Sequence, residues 1–103
     1  MAGIVSVNLV TPYVVAGVVG DCVDSAYGQT ATGSYVAVTG LQAAGAGQVA
    51  RVIVTGTAGS DDVQVKRVGS DAADVGAAYV IAGGGTLDVL LKSGEVLHIK
   101  TAS

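Results

Sequence analysis

The sequence predicts an all-β fold, a single antiparallel β-sandwich of about eight short strands with jelly-roll or Greek-key connections. Three observations carry that expectation. Several segments alternate apolar and polar residues with the period of two that a half-buried strand requires, and none sustains a 3.6-residue repeat with an N-cap and a charged face. Sixteen glycines in 103 residues, with Asp, Ser and Thr beside them, punctuate the chain about every eight to twelve residues. No shift in composition marks a second domain and no internal repeat is visible, so residues 1–103 read as one unit.

In residues 4–10, Val5, Val7 and Leu9 face one way and Ser6 and Asn8 the other, and Thr11-Pro12 ends the strand. Residues 13–19 are Val-rich on both faces, which suits a strand covered on both sides or lying at an interface. Residues 20–33 carry Asp, Ser, Gly, Gln and Thr with few large apolar side chains and read as a long exposed connection. A short strand over 34–39 and an Ala/Gly loop over 40–48 follow. Residues 49–55 and 63–68 flank Gly56-Thr57-Ala58-Gly59-Ser60-Asp61-Asp62, a run of turn formers, and the pair reads as a β-hairpin. Residues 70–75 are polar and 77–81 form a further strand, with Gly83-Gly84-Gly85 breaking the chain before a strand over 86–91. Lys92-Ser93-Gly94 reads as a short hairpin loop into the last strand, 95–101.

Half of the residues are hydrophobic, yet there is no Phe or Trp, one Met and four Tyr, so valine and alanine must fill the core. A buried valine contributes about 1.5 kcal/mol or somewhat more, and aromatics contribute much larger areas, so such a core gains less per residue and association with partners would add stability. Only 13% of residues are charged and the net charge is −3. The basic surface that nucleic acid requires is missing, and Arg51, Lys66, Arg67, Lys92 and Lys100 are scattered as solvated strand faces are. Tyr13 to Gly20 followed by Cys22 looks superficially like a lipoprotein signal. No Lys or Arg precedes it, Asn8 and Pro12 break the apolar stretch that leads into it, and Asp21 stands where a small residue is needed. Met1 to Ser103 is therefore read as mature sequence, and the apolar run is too short to span a bilayer.

Chemistry-bearing residues are few. Cys22 and His98 are the only thiol and imidazole, and one cysteine permits no internal disulfide. His98 alternates with Leu97 and Ile99 and is expected on the outer face, while Cys22 is expected as a buried or half-buried small apolar residue. Asp21 with Asp24, or Asp61 with Asp62, are of the type that ligates calcium, but each pair is sparse and Asp in Gly/Ser turns is a turn former. Gly40 and Gly45 are spaced like the ends of a phosphate-binding loop, but Ala46 and Gly47 stand where Lys and Ser/Thr are needed. Gly83 to Gly85 precedes a strand rather than a helix, so it offers no anion site. Tyr13, Tyr27, Tyr35 and Tyr79 read as half-buried packing rather than a ligand face. No catalytic residue, cofactor or metal is expected.

The second half of the chain carries a pattern: Arg51-Val-Ile-Val-Thr-Gly-Thr-Ala-Gly-Ser, then Asp62-Val-Gln-Val-Lys-Arg-Val, then Gly83-Gly-Gly-Thr-Leu-Asp-Val-Leu-Leu-Lys-Ser-Gly-Glu-Val-Leu-His-Ile-Lys. It resembles small β-sandwich virion proteins of tailed bacteriophages, whose shared property is binding to a repeating protein lattice. The resemblance covers the last half and implies a non-enzymatic structural protein made in the host cytoplasm and carried in the virion. A capsid decoration protein on the major capsid protein lattice, forming symmetric homo-oligomers such as trimers, is the leading expectation. A neck or tail protein of the same virion and a carbohydrate-binding sandwich are the alternatives. Neither nucleic acid nor membrane is an expected partner. Residues 1–19 are the expected contact segment, through Ile4, Val5, Val7, Leu9, Tyr13, Val14, Val15 and Val18, with an apolar strand pairing to a neighbour's open edge.

Overall fold

Alternation decides which way each strand faces, and the computed structural model, which describes residues 3–11, 22–45 and 47–102, arranges eight strands accordingly. They are β1 (Ile4–Val10), β2 (Cys22–Thr30), β3 (Val36–Ala37), β4 (Val49–Thr55), β5 (Val63–Val68), β6 (Asp74–Ile81), β7 (Thr86–Leu90) and β8 (Val96–Thr101). Two four-stranded antiparallel sheets form, ordered β2-β1-β4-β7 and β3-β8-β5-β6. The inward residues of β1 (Val5, Val7, Leu9), β4 (Ala50, Val52, Val54), β5 (Val63, Val65) and β8 (Leu97, Ile99) meet between the sheets, all buried to 1% exposure or less. The core is aliphatic throughout, as the composition requires.

Moving every strand label one place round the cycle of eight turns this order into that of a jelly roll. β1 then occupies the seat of a jelly roll's last strand, between β2 and β4. The first and last described residues consequently lie at one end of the sandwich: the Gly3 carbonyl accepts the Ala31 N–H at 3.0 Å, and the Ala102 N–H donates to the Asp62 carbonyl at 3.0 Å.

Three expectations from sequence need correction. The segments flanking residues 56–62 are not a hairpin, because β4 pairs with β1 and β7 while β5 pairs with β6 and β8. The connection is an arch from one sheet to the other. Lys92-Ser93-Gly94 is likewise an arch, taking the chain from β7 in the first sheet to β8 in the second. Turn residues mark a reversal but not which neighbour the returning strand meets. The hairpin joining adjacent strands in the second sheet is instead β5–β6, closed by Gly69 N–H to the Ala73 carbonyl at 2.9 Å.

The third correction is β2, which occupies most of the stretch expected to be a loop. Its inward register sets Asp24, Ala26 and Gln29 opposite Leu9, Val7 and Val5. Two register shifts break its alternation, and in one of them Tyr27 and Gly28 together stand opposite the single residue Ser6, with Gly28 at a φ of 74°. The expected strand at 13–19 lies outside the described residues. Strands 34–39, 77–81, 86–91 and 95–101 appear within a few residues of their expected bounds, and 40–45 and 47–48 hold no strand or helix.

Gly83, in the β6–β7 connection, lies directly against the β4–β5 arch. A Cβ there would overlap the Thr57 backbone, with the Thr57 carbonyl carbon 2.6 Å away. Gly83→Ala is expected to lower stability by about 1–3 kcal/mol or more, as overpacking against backbone does. Gly33→Ala, with nothing within 4 Å of its Cβ position, should leave the midpoint of a urea melt unchanged or slightly raised.

Candidate functional site

The residues expected to contact a partner are divided by the fold. Val5, Val7 and Leu9 are at 1%, 0% and 0% exposure, so they belong to the core. Nor does β1 offer an edge. Its whole length pairs with β4, from Ile4↔Thr55 to Val10↔Val49, and its other side pairs with β2. Ile4 alone of this strand presents a large apolar side chain to solvent, at 39%. Tyr13, Val14, Val15 and Val18 lie outside the described residues.

Elsewhere the polar side chains mostly bind backbone. On one flank β2 and β3 are the edges of their sheets, and Gln29 joins them: its Nε2 donates to the Ala37 carbonyl at 3.0 Å and its Oε1 accepts the Thr39 N–H at 2.6 Å. Asp24 accepts the Gln42 N–H at 2.7 Å and the Ser25 N–H at 2.9 Å. A two-residue β3 cannot close this flank with a ladder, so side chains do it.

The two arches are held by carboxylates. Asp61, 8% exposed, accepts the Thr57 N–H at 2.8 Å, and its own N–H donates to the Thr57 carbonyl at 2.9 Å. Asp62 Oδ1 accepts N–H groups from Gly59 at 2.8 Å and Gly83 at 3.0 Å, tying the β4–β5 arch to the glycine triplet. These bonds, Gly83 first and Gly59 second, hold the Asp62 carboxyl below the ordinary carboxylate range. At the β7–β8 arch Glu95, 4% exposed, accepts the Lys92 N–H at 2.7 Å. Asp24, Asp61 and Asp62 thus act as turn and loop ties, and no group of three metal-ligating side chains occurs among the described residues.

Cys22 opens β2 in the first sheet and His98 lies in β8 of the second, so the fold does not bring thiol and imidazole together. Cys22 is exposed rather than buried, because it starts an edge strand. His98 is on the outer face as expected, opposite Lys66 and Ala37. Lys66 also stands over the Tyr35 ring at 4.2 Å, with Lys100 at 5.6 Å, and pairs with Asp74 at 3.0 Å. Arg67 differs from the solvated cations expected. Its register partner is the core residue Leu97, and its Nε is buried without a hydrogen bond.

The first sheet's outer face has two unlike rows. Arg51 and Asp88 face each other across β4 and β7 and bond twice, at 3.0 and 3.1 Å. The guanidinium bond lowers the Asp88 pKa, and Asp88 in turn raises that of Arg51. Beside them Cys22, Val10, Val49 and Leu90 form an apolar row across all four strands, ending at Leu90 with 62% exposure. Sequence reasoning missed Leu90 as a surface residue, although its alternation with the buried Val89 and Leu91 was readable. Among known proteins, no family model, no curated sequence and no solved structure matches this chain significantly.

The Asp62 tie makes a pH prediction. A carboxyl whose pKa is lowered by folding adds stability above its unfolded value, about 3.9, and that contribution disappears as pH falls through the lower folded value. Thermal melts of wild type and Asp62→Asn should differ most near neutral pH and converge in acid, since a protonated Asp62 resembles the amide. A Tm gap that stays constant with pH would contradict the assignment.

Proposed function

We propose that this chain is a non-enzymatic structural virion protein of a tailed bacteriophage, acting as a capsid decoration protein on the major capsid protein lattice. What supports the reading is the location of the three quoted segments. They supply β4, β5, β7 and β8 with both carboxylate-held arches and the glycine triplet, so the resemblance falls on one connected part of the fold. The jelly-roll order agrees with it by fold-level analogy, since this architecture recurs in viral capsid domains and also in lectins.

The physical case concerns the kind of surface presented. A sandwich whose flank and arches are tied by side-chain bonds keeps its shape, and apolar side chains at strands near its edges, such as Val23, Tyr27, Val80 and Leu90, suit contact with protein. Carbohydrate binding receives less support. Tyr27 stands on the first sheet beside Asn8, Tyr35 bonds Gln64 on the second, and Tyr79 lies on the edge strand β6, so these three form no common face.

Quantitative mass spectrometry of gradient-purified particles encoding this chain would test the assignment. A copy number near that of the major capsid protein, or a simple lattice fraction of it, is expected. A handful of copies would place the chain at the neck or tail, and complete absence would remove the virion reading.

A further inference from the structure

The four sheet edges are unequally protected against pairing with another chain. β3 is two residues long, and β2 and β6 carry register shifts, devices that keep an edge from extending. β7 has none of these. Its five residues pair with β4 without a shift, they include no proline, and the one charge, Asp88, is already engaged by Arg51.

Its hydrogen-bond phase shows which backbone groups are open. Leu91 N–H donates to the Gln48 carbonyl at 2.8 Å and Val54 N–H to the Gly85 carbonyl at 2.9 Å. Both bonds lie on the register that runs from Val49↔Leu90 to Ile53↔Thr86. Bonded positions alternate in an antiparallel ladder, so Leu87 and Val89 turn towards β4 and Thr86, Asp88 and Leu90 turn their N–H and C=O groups to the open side.

A second β7, run antiparallel about a two-fold axis at Asp88, has the matching phase. Asp88 then faces Asp88 and Thr86 faces Leu90, all as bonded positions, and every outward group of the three residues finds a partner. The facing carboxylates are each neutralised by their own Arg51, which removes the repulsion that would otherwise oppose this register. Leu90, at 62% exposure, is covered by the pairing. β6 ends the other sheet on this same flank, since Gln29 places β2 and β3 together on the opposite one, and it adds Tyr79 at 38% and Val80 at 62%. A self-complementary patch of this kind is what a two-fold interface requires.

We propose that two copies of this chain associate through β7, merging two four-stranded sheets into one continuous sheet across the two-fold axis. The occupant of the edge is a second copy, because the phase, the charge neutralisation and the apolar flank are all satisfied by the strand's own image.

Sedimentation velocity and native mass spectrometry of the full chain test this. The expected species has twice the 10.0 kDa chain mass. Thr86→Pro removes an outward N–H, which an edge strand tolerates, and Leu90→Lys puts a charge in the interface. Each should give the single-chain mass with a native circular dichroism spectrum. Hydrogen exchange on the unaltered chain provides a reading free of any folding defect, with the Asp88 and Leu90 amides protected at high concentration and fast on dilution. A single-chain mass for the wild type, an assembly that keeps its mass in the folded variants, or amides that exchange fast at every concentration would overturn the proposal.

Discussion

The corner at Asp61 and Asp62 is the constraint on which the rest of the sandwich depends. Here the chain leaves one sheet for the other, and the two carboxylates between them hold the backbone of Thr57, Gly59 and Gly83. The same two residues receive the first and last described residues. Gly3 sits so close to the Asp61 carbonyl that no Cβ fits, and the Asp62 carbonyl accepts the Ala102 N–H. Since the facing layers are mostly valine, leucine and alanine, with no large aromatic to span the gap, their alignment relies on such corners more than on interlocking bulk.

A division of labour follows. Aliphatic burial draws the sheets together without specifying how the strands connect, whereas directional bonds from Asp24, Gln29, Asp61, Asp62 and Glu95 to backbone specify the connections. Buried polar groups are costly unless bonded, so the two buried carboxylates, Asp61 and Glu95, exclude arrangements that would strand them.

How much of this was legible depends on what a strand's inner face contains. Val5, Val7 and Leu9, or Leu97 and Ile99, announce their burial by alternation, and the strands carrying them were readable. β2 was hidden because its inward positions include Asp24 and Gln29, whose task is to bond the neighbouring loop, and because its shifts disturb the period. Pairing was harder still. Gly56 to Asp62 and Lys92 to Gly94 have the composition of hairpin loops, but the choice between hairpin and arch rests on which partner each strand finds at long range. That Val5, Val7 and Leu9 line the core was hidden for a related reason, since an apolar face reads alike whether it meets a partner or the protein's own core.

The seat taken by β1 also governs how this domain can be carried. Because it fills the place of a jelly roll's last strand, Gly3 and Ala102 emerge beside the same corner, while residues 38–45, 47–48, 69–73 and 91–95 occupy the opposite end of a body 37 Å in its longest dimension. A tether or further domain joined at either terminus would therefore hang from one pole, and the far loops would be displayed without obstruction.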